Sequence, residues 1–218
     1  MTKEYPVSFK GKPIVTPAGN PLVVPSAKLA DAITAEWNSL APKAPKSALK
    51  FTPIACVAID IVTGNREKML ADIIPYIDTD LVSYRAGDIP ELSIQQSAAL
   101  DPLLLWIKGH CGISLITTDG LMPVAQDADN QQKLDAVLAG FDAWKLAAFA
   151  VAVKPLGSVV LALALVEGRL TTEAAFNLAH LEENYETLKW GVDDEKEQAM
   201  RAKRNDVDAV GQFLAALI

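Results

Sequence analysis

Few residues in this 218-residue chain have the types and spacing that chemistry requires, and the adjacent pair His110-Cys111 is the first to weigh. A thiolate nucleophile needs a base within hydrogen-bond reach. Neighbours on a helix point in different directions, however, and the flanking Gly109 and Gly112 suggest a helix end. His180 and Glu183 stand three apart and can meet on one helical face. A carboxylate-bridged metal centre needs Glu-x-x-His units on two helices plus further Glu, and one reversed copy does not supply it. The expectation for His180 is a helix-surface histidine beside acids. No GxGxxG, GxxxxGK[ST], HExxH or GxSxG run occurs, so nothing supports a standard nucleotide loop, a zincin or a serine hydrolase. The reading is a non-enzyme without cofactor or metal.

The stronger feature is the segment Gly168 to Gly191 (GRLTTEAAFNLAHLEENYETLKWG). Leu178, Leu181, Tyr185 and Leu188 recur at i, i+3, i+7 and i+10, the stripe of an amphipathic helix. The other face is acidic. Glu182 and Glu186 are four apart, stack on that face and repel by about 0.2 to 0.5 kcal/mol, which Lys189 relieves in part. Beside Glu183 they form either a solvated acidic face or a docking patch for a partner's Arg or Lys. Trp190 ends the helix just before Gly191, where a half-exposed ring could anchor a partner. Trp37, Trp106 and Trp144 are expected in the core or between lobes.

Composition narrows the partner class. The apolar set makes up 50% and aromatics 6%, so the core is expected to be aliphatic. A net charge of −7 argues against a phosphate backbone as partner, because nucleic-acid binding draws on clustered Lys and Arg. Cys56 and Cys111 form no CxxC unit, which fits a reducing compartment. Residues 1–12 read as neither a signal peptide nor an organellar presequence, and cytosolic residence is the expectation. Ala143 to Val166 has the length of a membrane span. Lys154, Pro155, Gly157 and Ser158 at its centre would be costly in lipid, so two short buried helices joined by a tight turn are expected, without membrane insertion. The first fifty residues carry seven lysines against three acids, whereas residues 167–200 carry nine acids against three bases. Such polarity favours oriented docking with a charged hetero-partner, and a monomer is expected.

These segments need a scaffold. Prolines at 13, 17, 21 and 25 exclude long central strands near the N-terminus, leaving a hairpin of Pro13 to Thr16 against Leu22 to Val24. Ser26 caps a helix carrying Leu29, Ile33, Trp37 and Leu40. It stops in a Pro and Lys linker over residues 41–46. Thr52-Pro53 then starts a helix that Gly64 ends, with Thr52 as cap. Asn65 caps the next, carrying Met69, Leu70, Ile73 and Ile74 up to Pro75. A strand over Leu81 to Arg85, a helix over Glu91 to Lys108 kinked at Asp101-Pro102, and a strand over Ile113 to Thr117 follow. From about Asp127 every window is helical, with caps or breaks near Asp127, Asp142, Pro155, Ser158, Gly168, Thr171 and Asp193. The fold class is α+β: a small N-terminal α/β lobe with short antiparallel strands over 1–122, then an all-α helical lobe over 123–218.

Several of these residues also carry a resemblance. Pro21-Leu22, Leu29-Ala30, Glu36-Trp37, Ala58-Ile59-Asp60, Thr79-Asp80, Tyr84-Arg85, Asp101-Pro102-Leu103-Leu104 and Trp106 occur in that order. Leu161 to Val166, Gly168-Arg169-Leu170, Glu173-Ala174, Leu181-Glu182-Glu183 and Trp190-Gly191 follow. Together they resemble the chaperone family that assembles the catalytic head of ATP synthase, from about Gly11 to about Glu197. Ala99-Leu100 departs from it, where the family often has an aromatic. The resemblance implies a chaperone that binds the free alpha subunit before beta does, in the bacterial cytoplasm. Under it, Glu182, Glu183, Glu186, Trp190 and Arg85 become candidate partner-binding residues. A scaffold or regulator of another complex is the alternative.

Overall fold

The computed structural model describes residues 3–41, 48–120, 122–191 and 194–218, so all but Ala41 of the linker expected over 41–46, and the break expected near Asp193, lie outside the described residues. Proline spacing does hold the strands short. β1 (Tyr5–Pro6) pairs antiparallel with β4 (Val23–Val24), and β2 (Ser8–Phe9) with β3 (Lys12–Pro13). The expected hairpin is reduced to a Val15–Pro21 bridge, closed by Thr16 N–H on the Asn20 carbonyl at 2.8 Å. Pro13 and Pro21 donate nothing, so the ladder takes its other partners from residues 5–9. Asp60 clamps the turn by accepting from Thr16 Oγ1 (2.6 Å), Ala18 N–H (3.1 Å) and Asn20 Nδ2 (2.9 Å).

α1 (Ala27–Ser39) begins where Ser26 accepts from Leu29 N–H, and it buries Leu29 and Ile33 as its spacing requires. The cap of α2 (Phe51–Cys56) corrects the expectation. Thr52 lies inside the helix, and Glu36 of α1 reaches across to accept from the Phe51 and Thr52 amides at 2.8 and 3.1 Å and from the Lys50 amide. An ionised acceptor at the positive end of a helix outperforms a hydroxyl there. Gly64 does not end this helix. A π-helical stretch (Val57–Val62) carries it into α3 (Thr63–Ile73), and the break reduces to a kink at Asn65 (φ −145°, ψ 38°). Ala58, Val62, Met69 and Leu70 keep one face buried across the kink.

Leu81–Ser83 form a 3-10 turn, so only Tyr84–Arg85 (β5) is strand. α4 (Pro90–Cys111) carries Pro102 inside it. The strand expected over Ile113 to Thr117 is absent because side-chain amides take its backbone groups. Asn130 bonds Ser114 N–H and C=O at 3.1 and 2.9 Å, and Gln126 bonds those of Ile116 at 2.8 and 2.9 Å. Pairing comes one residue later, where β6 (Thr118–Asp119) lies parallel to β5, an exception to the antiparallel pattern.

The remainder is helical: α5 (Asp129–Ala139), α6 (Ala143–Leu156), α7 (Val159–Val166), α8 (Thr172–Ala179), α9 (Leu181–Trp190) and α10 (Asp194–Ala216). Asp142, Ser158 and Thr171 cap α6, α7 and α8 through their side chains. The apolar run is two buried helices turned at Gly157 (φ 61°), and all eight residues of α7 are buried. Among the described residues no helix is long and apolar enough to cross a membrane. One buried cluster runs from Val7 to Ala216 and includes residues on both sides of position 122.

Candidate partner-docking site

The segment expected as one amphipathic helix is two. Thr171 starts α8, and α8 stops at His180 (φ −124°, ψ 34°), from which α9 leaves in a new direction. The break puts His180 inside, only 2% exposed, where a helix-surface histidine was expected. Its ring stacks on Phe176 at 4.3 Å. Nδ1–H donates to the Phe176 carbonyl at 2.9 Å, leaving Nε2 to face Lys203 Nζ at 3.5 Å. Burial holds this histidine below its ordinary pKa; Lys203 and Arg204 push it further down, and Glu183 pulls the other way.

Redirecting α9 also undoes the expected stripe. Among its residues none is buried: Leu181 and Tyr185 are half-buried, while Leu188 is 89% and Trp190 65% exposed. The helix leans on α4 through Tyr185, whose hydroxyl donates to Glu91 at 3.3 Å. Lys189 does not turn to Glu186 but sits over the rings of Tyr185 and Trp190. Glu186 is met instead by Lys196 of α10 at 3.6 Å. The carboxyl of Glu182 is raised, first by partial burial and then by Glu183, Glu186 and Asp88, so like charges gather here as the i,i+4 spacing implies.

α9 is thus a ridge between two clefts. On one side a groove of about 760 Å³ separates it from α10, with Trp190, Met200 and Phe176 facing Arg201 and Arg204. On the other a cleft of about 710 Å³ runs between α8–α9 and β5–α4, rimmed by Asp88, Glu182, Glu183 and Glu186. Glu183 and Glu186 line both hollows, Glu182 lines only the cleft and Trp190 only the groove. Arg85 is a different case. It is 5% exposed and gives its donors to Asp101 (2.7 Å), Val82 and Tyr84 carbonyls (2.9 and 2.7 Å) and Ser97 (3.3 Å). It builds the wall of the cleft and offers no cation to a partner from this position. Asp88 and Gln96 belong to the cleft and were missed. They stand far from Glu182 in the chain, and no local pattern marks them.

The pair His110 and Cys111 sits at the end of α4. His110 stacks on Trp106 at 5.1 Å, while the Cys111 thiol donates to the Ile107 carbonyl at 3.3 Å and is pushed up by burial. Neither group serves the other. Among the described residues no cluster of three His, Cys, Asp or Glu could hold a metal ion.

Comparison with known proteins places this architecture. The pattern of the ATP12 chaperone protein family matches residues 1–108. The crystal structure of Atp12 from Paracoccus denitrificans superposes with a TM-score of 0.86 at 31% identity, covering 95% of this chain and 89% of that one. The Atu1473 protein of Agrobacterium tumefaciens matches at 0.86 and 30% identity over 100% of this chain and 85% of its own. Protein atp12, mitochondrial, of Schizosaccharomyces pombe is 26% identical over 200 residues, 86% of this chain and 69% of the relative. The α8 to α10 region lies beyond the family pattern but within the match to the Atu1473 protein, which covers the whole chain, and the chain belongs to the ATP12 chaperone protein family.

Proposed function

We propose that this chain is an assembly chaperone of ATP synthase that binds the free alpha subunit of the catalytic head and shields its beta-facing surface until beta associates. Family membership supports the chaperone class. The observation that carries the docking surface is α9, a helix without a buried residue that displays Leu188 and Trp190 beside three glutamates. Exposed aromatic and aliphatic side chains rimmed by charge are the composition of a protein-binding patch. The acidic face suits basic groups on alpha, and Arg85 supports the patch from below. A specific interface buries roughly 800 Å² per partner, more than α9 alone offers, so the α9–α10 groove would share it. Release follows when beta pairs better with the same surface, and no step of this cycle calls for ATP hydrolysis. We read the protein as a monomer of two units, 1–122 and 123–218, working in the bacterial cytoplasm, with the second unit carrying the patch.

Co-expression of tagged chaperone with alpha and beta separately tests the assignment. Capture of alpha and not beta is expected; capture of beta and not alpha refutes it.

A further inference from the structure

The cleft between α9 and α4 has a chemistry of its own. Its rim carries Asp88 from the loop before α4 and Glu182, Glu183 and Glu186 from α9, and its floor includes Leu81, Leu178 and Leu181. Among the described residues the cation lining it is Arg85, already committed to Asp101 and three other acceptors. Glu186 has Lys196 on its far side, and burial plus its three acidic neighbours raises Glu182. Among the described residues no ion pair reaches Asp88, Glu182 or Glu183, so the rim keeps a net negative potential above an apolar floor.

Two observations choose the occupant. These carboxylates line an edge and do not converge on a point that could hold a metal, among the described residues. Gln96 also lines the cleft and is 8% exposed; its Oε1 accepts from Ala86 N–H at 2.7 Å, and the described residues offer its Nε2 no acceptor. A bare amide donor repels a cation but suits a peptide carbonyl. We infer that the cleft receives a basic peptide segment of the client protein, an Arg or Lys stem lying over the leucines, its cation among Asp88 and the α9 glutamates, and a backbone carbonyl on Gln96 Nε2. Long basic side chains bury apolar stems while keeping the charged head hydrated or paired, and charge-assisted bonds to carboxylates are the stronger kind. This rests on the docking reading of α9 and names what that surface recognises.

The probe is a short acetylated, amidated peptide of alternating leucine and arginine, titrated into isotope-labelled full-length protein and followed by NMR. Saturable shifts are expected at Asp88, Glu182 and the Gln96 side-chain amide. Asp88→Asn combined with Glu182→Gln changes two exposed carboxyls, so the thermal midpoint should hold while affinity falls roughly tenfold. A peptide with citrulline for arginine should not bind. Equal binding by the variant or by the citrulline peptide, or shifts confined to the α9–α10 groove, overturns the inference. The same variant is then offered free alpha subunit. Peptide binding without alpha capture by the wild type removes the alpha reading and keeps the cleft; alpha capture untouched by the variant removes the cleft and keeps alpha.

Discussion

Asp80 accepts a hydrogen bond from the Ser158 hydroxyl at 2.6 Å across 78 residues of sequence, while its other oxygen accepts from the Val159 and Val160 amides at 2.8 and 3.1 Å. With Val82 N–H at 3.1 Å, one buried carboxyl caps both the 3-10 turn leading into β5 and the fully buried helix α7. Asp80→Ala leaves these donors unmet. Each buried donor without a partner costs about 1–3 kcal/mol, so a loss of at least about 3 kcal/mol is expected in denaturant unfolding.

The same carboxyl gives a pH dependence of known sign. Burial pushes it up to about 6, outweighing the four donors that favour its charged form. The folded protein then binds this proton more tightly than the unfolded chain does at the ordinary value of 3.8. Its stabilisation is fully present below that value and is lost as pH rises through about 6. The stability gap between wild type and Asp80→Ala should shrink as pH rises across this window, measured by urea titration. A gap that widens contradicts the assignment.

His180 carries the opposite slope. Its folded-state pKa is lowered from 6.5, chiefly by burial, so its contribution is present above that value and is lost as pH falls through the depressed folded one. A proton on Nε2 would face the Lys203 ammonium 3.5 Å away. Below pH 6.5, the wild type should lose stability relative to His180→Gln, and hydrogen exchange should quicken first in α9, which rests on this joint. Parallel pH profiles for the two proteins would place the titration elsewhere.

Gly211 sets the height of α10 over the start of α8. A Cβ there would lie 2.2 Å from Thr172 Cγ2, a distance no packed pair tolerates. Gly211→Ala should therefore destabilise by about 1–3 kcal/mol despite the better helix propensity of alanine. Thr172→Ser removes the opposing methyl, and adding it should recover most of the loss. Additive losses in the double variant would mean that the two sites are not coupled.

Helix caps at Ser26, Asp142, Ser158 and Thr171 were legible because an oxygen beside the first turn acts locally. So was the division of the apolar run at Gly157. Joints made by distant groups were not. Glu36 displaces Thr52 as the cap of α2, Asn130 and Gln126 replace a strand partner, and nothing near His180 in sequence announces that the helix breaks there and turns it inward. Five of the residues that carried the family resemblance are such joints: Glu36, Asp60, Asp80, and Arg85 with Asp101. The acidic face of α9 was legible from i,i+4 spacing. Its isolation from the core, and the cleft it shares with Asp88, depended on the break at His180.

Under the proposed function, α9 is the surface that takes free alpha subunit. Glu182→Lys with Glu186→Lys reverses the charge of that ridge without touching a buried residue, so the circular dichroism spectrum and thermal midpoint should match the wild type. The deciding measurement is the affinity of each purified protein for separately prepared alpha subunit, by calorimetry at low salt. A wild-type complex that the charge-reversed protein fails to form is the predicted result. Equal affinity in two equally folded proteins would contradict it and put the contact elsewhere on the molecule.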